Sequence, residues 1–335
     1  MVSKTQVVKF ESFAAYTHDD DNEVKCDISE LLDGLKGLDQ KERVFRYFGE
    51  PVRMDSIHDA ILDDETIKKH KNLRLIYFHM TRLRDEGAAT GVLNTEDLKD
   101  LELDENEYIA EDISCLYDND LNIVFIQKNY HSLSISGITE YLKKAYKLIE
   151  KESGAYDSES FNDLDIFFKP VPDKKILKNA KKLTNYRSLT LSFANDYEDK
   201  MSDQLKSMLG QFGEVFEHFH GTKLGVTLSA GDAKAPTLNA NNMRNVVKEV
   251  ESGNSVFSSA LIRGKQGDGP VEPFDLLNGK LQTKHKFSSV KNSDGNTRRM
   301  HLQKSVVEDI MKLLYLKKDE NSTRSFREEV IDNLR

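Results

Sequence analysis

Hydrophobic positions recur along the chain with two periods, one typical of strands and one typical of helices. Residues 5–17, 72–84 and 112–129 are rich in β-branched and aromatic side chains, which predicts strands. In residues 138–151 apolar side chains recur every three or four positions, which predicts a helix with one buried face. Strands mostly joined in hairpins, with helices between them, predict an α+β fold of two domains in which mixed, mostly antiparallel sheets are flanked by helices.

Three local patterns make more specific predictions. The Asn-Asp pair at 119–120 tolerates positive φ and predicts a tight turn between two apolar runs. Residues 55–71 have apolar side chains at helical spacing, with acidic residues early and basic residues late, which predicts a helix. Strands near 280–290 and 297–302 are expected to form a hairpin, because the Asp-Gly pair of NSDGN between them is a common turn.

The length and one polar segment predict two domains. The chain has 335 residues, and domains average about 150 residues. The segment ESGAYDSES at 152–160 is small, polar and flexible in composition, as linkers are. We therefore expect an N-terminal α+β domain over 1–155 and a C-terminal α+β domain over 156–335.

Composition excludes several classes of protein. Cys26 and Cys115 lie far apart and form no CxxC motif, so we expect a reduced cytoplasmic protein with two buried thiols rather than a disulfide scaffold. The first residues read as a strand and not as a signal peptide. No apolar run approaches the roughly 18–20 residues of a membrane span. A wholly disordered chain is also excluded, because 38% of the residues are hydrophobic.

The charge is divided unevenly along the chain. The net charge of −9 argues at first against a nucleic-acid binder. Residues 1–155 carry a net −12, however, and residues 156–335 a net +3. Within these halves, residues 85–120 alone carry −12, from one Lys and 13 acids. The chain is thus an acidic part joined to a mildly basic one.

Two segments of the second half are strongly basic. Residues 161–191 carry a net +4 and residues 280–304 a net +6, a density typical of phosphate-binding surfaces. In KKILKNAKKLT, lysines at i, i+4, i+7 and i+8 from Lys174 fall on one helix face, with Lys175 beside them. The alternative is a solvated amphipathic helix and an ordinary basic hairpin. The residues predicted to bind nucleic acid are Lys169, Lys174, Lys175, Lys178, Lys181, Lys182, Lys280, Lys284, Lys286, Lys291, Arg298 and Arg299.

The acidic run 96–112 supports a second hypothesis. It is either a solvated loop or a surface that mimics DNA and covers the basic face. In the latter case the protein would be an interaction module, in which Asp104, Glu105 and Glu107 dock a basic partner.

Catalytic motifs are missing from the sequence. It has no GxxxxGK[ST], no HExxH and no GxSxG, and we expect no catalytic residue, no metal site and no cofactor. One weak pattern keeps an enzyme open as a third hypothesis. Asp163 and Asp165 precede Lys169 on a predicted strand, and metal-dependent nucleases use a carboxylate pair beside a lysine.

Several segments resemble proteins of phage exclusion. The stretch SFNDLDIFFKPVPDKKILKNAKKLT, in which a strand ending in Lys-Pro leads into a Lys-rich helix, resembles the RexA exclusion-protein family of phage lambda. An N-terminal strand followed by DISELLDGL is similar to the start of that family. The segment EYIAEDISCLYDNDLNIVFIQKNYHSLSISGITEYL resembles uncharacterised prophage and defence-island proteins, and its layout is similar to the KwaB-type component of the Kiwa anti-phage system.

This resemblance implies a cytoplasmic DNA-binding sensor that forms a homodimer and works with a membrane-protein effector. It extends residue by residue only to Lys169 and to the lysines of KKILKNAKKLT. The acidic run is heavier than RexA would lead us to expect, which puts constitutive DNA binding in doubt. Our main hypothesis is therefore a phage-defence or exclusion sensor that binds DNA without sequence specificity and responds to a phage or host protein.

Overall fold

The computed structural model divides the chain into two compact units. It describes residues 5–19, 22–85, 89–91, 96, 98–152, 165–193, 225–231, 237–251, 257–267, 271–277, 279–288, 301–317 and 324–334. The first unit comprises residues 1–171 and 281–335, and the second, here called the inserted unit, comprises residues 172–280. The sequence predicts one C-terminal domain over residues 156–335. The structure instead groups residues 281–335 with the first unit.

The predicted α+β class is confirmed, and all paired strands among the described residues are antiparallel. The strands of the first unit are β1 Thr5–Asp19, β2 Asn22–Lys25, β3 Val44–Tyr47, β4 Glu50–Asp59, β5 Leu75–Arg84, β6 Ala89–Gly91, β7 Leu98–Asp100, β8 Ile109–Asp118, β9 Ile123–Gln127, β10 Phe167–Pro170 and β15 Gln282–Ser288. Its helices are α1 Ser29–Gly37, α2 Asp64–Lys69, α3 Ile135–Glu152, α6 Lys304–Leu316 and α7 Phe326–Leu334. The inserted unit contains α4 Lys175–Lys181, β11 Asn185–Phe193, β12 Gly225–Ser229, α5 Ala240–Glu251, β13 Phe257–Lys265 and β14 Glu272–Asp275.

A nine-stranded sheet forms the middle layer of the first unit. Its order is β10-β1-β9-β8-β5-β4-β3, and β15 and β2 also pair with β1. One face of the sheet packs against α1 and α3 through side chains such as Leu32 and Leu142. The other face packs against α6 and α7 through side chains such as Met311 and Val330. Both faces are covered, which explains why β9 and the first four residues of β5 are almost continuously apolar.

The inserted unit leaves and rejoins the sheet at neighbouring positions. The Val171 amide donates to the Ser12 carbonyl at 2.9 Å, and the Leu281 amide donates to the Val171 carbonyl at 2.8 Å. Strands β10 and β15 therefore follow one another along the same edge of β1, with residues 172–280 between them. The hydrogen bond between Val171 and Leu281 joins positions about 110 residues apart in sequence, so local patterns could not reveal it.

On its other edge, β1 leaves a notch. Strand β9 pairs with β1 only from Phe10 to Ala14, whereas β15 begins its pairing at Thr5. Among the described strands, none pairs with residues 5–9 on the β9 side. The loop after β9 partly fills this space, because the Lys128 amide donates to the Lys9 carbonyl at 2.8 Å. The notch is where a cavity of the first unit lies.

The structure confirms some local predictions and corrects others. The β8–β9 hairpin forms as predicted, but the positive φ in its turn is at Asn122 (+56°) and not at Asn119 or Asp120. The predicted helix over 55–71 is wrong, because residues up to Asp59 pair with β5 and only Asp64–Lys69 is helical. Residues 282–288 pair with β1, and most of the predicted partner strand at 297–302 lies outside the described residues. Of the helices in the described ranges, none is both long and apolar enough to cross a membrane.

In the inserted unit, two helices pack on a four-stranded sheet. The sheet order is β12-β11-β13-β14. Helix α4 buries Ala180, whose carbonyl accepts a hydrogen bond from the buried Tyr186 hydroxyl at 2.8 Å. Helix α5 buries Met243 and Val247 against the same core. Packing of the apolar side of α4 fixes which of its side chains point outward.

Candidate nucleic-acid interface

Five lysines lie on one side of α4. The residues flanking the helix, Lys174 and Lys182, keep right-handed helical dihedrals, so the helical arrangement extends beyond the seven residues of α4. At about 100° per residue, the five cover about 120° of the circumference, opposite Ile176 and Ala180. We call this surface the α4 lysine face; it comprises Lys174, Lys175, Lys178, Lys181 and Lys182. Four of its members are exposed, and Lys181 is half-buried and hydrogen-bonded to Glu251.

The surroundings of this face are also basic. The exposed Arg244 of α5 donates from Nε to the Lys181 carbonyl at 3.2 Å, at the end of α4. Lys280, which the sequence assigns to the second basic segment, pairs with Pro172 just before the helix. Residues 172–280 as a whole carry 15 Lys and Arg against 13 Asp and Glu, so the positive charge is concentrated at α4 and is not a property of the whole unit.

Other predicted residues lie elsewhere. Lys169, on β10 of the first unit, is hydrogen-bonded to Glu23 and lies 5.7 Å from the ring centroids of Tyr16 and Phe167. Its charge is thus already balanced by a carboxylate. Lys291, Arg298 and Arg299 lie outside the described residues.

Lys284 and Lys286 form a second basic surface, in the first unit. In the β1–β15 register Lys284 lies opposite Lys9 and Lys286 opposite Val7. The main-chain bond from Lys128 to Lys9 places a further lysine on the other side of Lys9. Side chains directly opposite each other on neighbouring strands lie close together, and like charges there are unfavourable. We call this surface the β1 lysine row; it comprises Lys9, Lys128, Lys284 and Lys286.

A cavity of about 390 Å³ adjoins the β1 lysine row at the notch of the sheet. Lys9 and Lys128 form part of its wall, and Lys128 is paired with Glu11 at 2.6 Å. The remaining polar lining includes Asp112, His131 and His301. These side chains come from β1, β8, the loop after β9 and the residues before α6, so only the folded first unit brings them together.

Behind the cavity, four side chains form a continuous chain of hydrogen bonds. His301 Nε2 lies 2.8 Å from Asp112 Oδ1, and Asp112 Oδ2 lies 2.9 Å from His79 Nε2. The other ring nitrogen of His79, Nδ1, lies 3.2 Å from Asp55 Oδ2. Arg53 and Thr81 also donate to Asp55. We call Asp55, His79, Asp112 and His301 the Asp–His chain.

The environment of His79 favours its charged form. Burial would lower the pKa of His79, but the hydrogen bonds to Asp112 and Asp55, together with their charges, outweigh it and raise that pKa. Burial likewise opposes ionisation of Asp55, yet hydrogen bonds from His79, Thr81 and Arg53 lower its pKa to about 2. The pKa of Asp112 is lowered in the same way, against its burial, by hydrogen bonds from His79 and His301. Both ring nitrogens of His79 thus face carboxylate oxygens, an arrangement that favours the charged form of the ring.

This arrangement predicts a pH dependence of stability. Because the pKa of His79 is raised in the folded state, the stabilisation from its charged ring is fully present below about pH 6.5, its pKa in the unfolded chain. This stabilisation is lost as pH rises through the pKa of His79 in the folded state. We expect the stability difference between the wild type and His79→Gln to shrink between pH 6 and 9. Urea unfolding at several pH values measures this difference, and a difference that stays constant or grows with pH would contradict the assignment.

Sequence reasoning missed the Asp–His chain. In the sequence, Asp112 belongs to the acidic run 96–112, and His79 lies within a predicted strand rich in β-branched and aromatic side chains. The available signal was polar side chains two residues apart in buried strands, His79 with Thr81 and Asp112 with Ser114. Spacing alone could not show that four distant segments meet.

The described part of the acidic run separates into two parts. Residues 98–108 are exposed, including Asp104, Glu105 and Glu107, as a docking surface requires. Glu111 and Asp112, by contrast, are only partly exposed, and both bond to neighbouring side chains.

The predicted nuclease pattern gains no support from the structure. Asp165 contacts His18 and lies 3.8 Å from Lys143 Nζ, while Asp163 is outside the described residues. Within the described ranges, no group of three or more His, Cys, Asp or Glu side chains could hold a metal ion.

Comparison with known proteins gives a family but no function. Residues 3–327 match the model of DUF6731, described as a family of unknown function. A search of curated proteins found no match. The match spans nearly the whole chain, including both compact units. The chain therefore belongs to DUF6731, a family of unknown function.

Proposed function

We propose that this protein binds nucleic acid, with duplex DNA as the expected ligand, through the sugar–phosphate backbone. The observation that carries the proposal is the α4 lysine face, where five lysines share about 120° of one helix. Arg244 and Lys280 extend the same positive surface. Such a row of lysines neutralises phosphates spaced along the nucleic-acid backbone. The release of the counterions of these phosphates drives the binding.

The composition of this face favours backbone contacts over base readout. Lysine is a flexible point charge that meets phosphates without fixed geometry, whereas bases are read mostly by Arg, Asn and Gln in bidentate arrangements. Helix α4 has seven residues and buries its apolar side against the core of the inserted unit. We therefore expect affinity for DNA with little dependence on its sequence.

The wider role follows from the resemblance to the RexA and KwaB-type proteins. In this proposal the protein is a cytoplasmic sensor of a phage-defence or exclusion system. It forms a homodimer, binds DNA, and passes its signal to a membrane-protein effector when a phage or host protein is present. The exposed residues 98–108 would compete with DNA for basic partners.

Charge reversal on α4 tests the proposal. We expect Lys174→Glu, Lys178→Glu and Lys182→Glu together to weaken binding of a duplex by on the order of 100-fold, because three phosphate contacts become repulsive. Fluorescence anisotropy with a labelled 30-base-pair duplex at low salt measures the change. The matched control is Lys41→Glu, Lys68→Glu and Lys71→Glu, which makes the same net change on exposed lysines of the first unit.

Two outcomes would contradict the proposal. One is equal affinity in the wild type and the α4 variant. The other is a protein that retains no DNA and captures a basic partner through Asp104, Glu105 and Glu107, which would make it an interaction module instead.

A further inference from the structure

The cavity of the first unit has the side chains of an acid–base site. His131 and His301 both line it, together with Lys9, Lys128 and Tyr130. It lies in a different unit from the α4 lysine face, and its lining includes none of the α4 residues. We propose that this cavity cleaves RNA without a metal ion, with His301 as general base and His131 as general acid.

The hydrogen bond from His301 to Asp112 sets the role of the imidazole. Because Nε2 donates to Asp112 Oδ1 at 2.8 Å, the neutral ring carries its proton on Nε2 and has a lone pair on Nδ1. Among the described residues, Nδ1 of His301 has no hydrogen-bond partner, and the side chain is 64% exposed. A base oriented by a carboxylate is the arrangement that general-base catalysis uses.

The rest of the Asp–His chain holds Asp112 in place. The second carboxylate oxygen of Asp112 is bound to His79, which is itself held by Asp55. Asp112 and His79 are largely buried, so the pair cannot rearrange without losing several hydrogen bonds. Asp112 and His79 therefore act as positioning residues for His301.

The loop after β9 is fixed against the neighbouring strands. The Asn129 side-chain amide donates to the Asp112 carbonyl at 3.0 Å, and the Ser132 hydroxyl donates to the Glu111 carbonyl at 2.5 Å. The Asn129 side-chain oxygen accepts from the His131 amide at 3.1 Å. This loop carries Lys128, Tyr130 and His131, so their backbone positions are set before any ligand arrives.

The charges around the cavity fit a phosphodiester chain. Lys9 forms its wall, and the β1 lysine row continues from Lys9 to Lys284 and Lys286 on β15. The described lining contains no Ser, Thr or Cys to serve as a protein nucleophile. RNA supplies its own nucleophile, the 2′-hydroxyl beside each phosphate, and for this reason we choose RNA over DNA.

The step balances without another reactant. His301 Nδ1 takes the proton of the 2′-hydroxyl as its oxygen forms a bond to the adjacent phosphorus. The bond from phosphorus to the 5′-oxygen breaks, and that oxygen takes a proton from the His131 imidazolium. Lys9 stabilises the negative charge on the non-bridging oxygens. The products are a 2′,3′-cyclic phosphate and a 5′-hydroxyl end, and the two histidines then exchange protons with water.

Cleavage of a defined RNA in EDTA tests the proposal. The full-length protein is incubated with a labelled 20-nucleotide RNA, and the ends of the products are analysed by mass spectrometry. We expect cleavage with 2′,3′-cyclic phosphate ends and an intact DNA of the same sequence. His301→Ala and His131→Ala should each slow cleavage at least about 100-fold.

A matched control separates catalysis from loss of a surface histidine. His18 forms a pair with Asp165 that is also exposed but does not line the cavity, so His18→Ala should cleave at the wild-type rate. The positioning role of Asp112 predicts a further result. Asp112→Asn removes a negative charge beside His301 but leaves Lys9, Lys128 and His131 nearby. Cleavage should therefore slow through a lower kcat, with KM little changed.

Three results would overturn the inference: RNA that stays intact in the presence of the wild type, cleavage by His301→Ala at the wild-type rate, or cleavage of DNA as fast as RNA. His301 is exposed, so its alanine variant is expected to fold, and circular dichroism checks this. Failure of this test leaves DNA binding by α4 standing, because that is measured on other residues.

Discussion

Arg327→Ala is expected to lower the free energy of unfolding of the first unit by about 3–5 kcal/mol, the largest effect of a single substitution that we predict. Arg327, at the start of α7, is only 3% exposed, and its partner Asp118 is 1% exposed. Its guanidinium donates to Asp118 at 2.6 Å and to Asp120 at 2.5 Å. It also lies 3.3 Å from His70 Nδ1.

The loss of stability is large because the substitution leaves the buried carboxylate of Asp118 without its charged partner. Asp118 would keep its hydrogen bond from the Tyr315 hydroxyl, at 2.9 Å, and its hydrogen bonds from main-chain amides of the β8–β9 turn. It would lose its only charged partner among the described residues. Removing one member of a buried ion pair leaves an uncompensated charge in a medium of low polarity, and this costs more than the pair itself contributes.

A nearby arginine provides the control. Arg324 lies three residues earlier, is 58% exposed and pairs with Asp332, so Arg324→Ala is expected to cost no more than about 1 kcal/mol. The chain has no Trp, so urea unfolding is followed by far-UV circular dichroism. In the double variant Asp118→Ala/Arg327→Ala, the loss of unfolding free energy should be smaller than the sum of the losses in the two single variants. The reason is that no unpaired carboxylate remains buried. Equal midpoints for Arg327→Ala and Arg324→Ala would contradict the account.

The sequence was a good guide wherever local pattern decides structure. The period of α3 and the apolar start of β5 each contain the residues that their structure needs, and the β8–β9 hairpin forms, although its positive φ is at Asn122 and not in the Asn119-Asp120 pair. The helix expected over 55–71 failed because Ile57 lies both at helical spacing and on a face of β4. Pairing with β5, a contact made only in the folded chain, decides between these two options.

The functional surfaces divide in the same way. The α4 lysine face is a consequence of helical period and could be predicted from one short segment. The β1 lysine row depends on pairing Lys9 with Lys284, which lie 275 positions apart, and the Asp–His chain depends on four separate segments. In a sequence such residues are indistinguishable from surface charges or from strand interiors.

Dependence on salt is the second large effect that we expect. Binding of B-DNA through phosphates gives a plot of log affinity against log salt concentration with a slope of about −0.9 for each phosphate contacted. The five lysines of the α4 face, together with Arg244 and Lys280, predict a slope of about −4 to −6. Between 50 and 200 mM salt, this means a loss of affinity on the order of 10³-fold.

The most direct test of backbone binding by α4 is to measure this slope for the wild type, for Lys174→Glu/Lys178→Glu/Lys182→Glu, and for the control Lys41→Glu/Lys68→Glu/Lys71→Glu. Loss of three phosphate contacts should make the slope of the α4 variant shallower by about 3 and leave that of the control unchanged. The same slope in all three proteins would contradict the account, because the phosphates would then be bound elsewhere on the molecule.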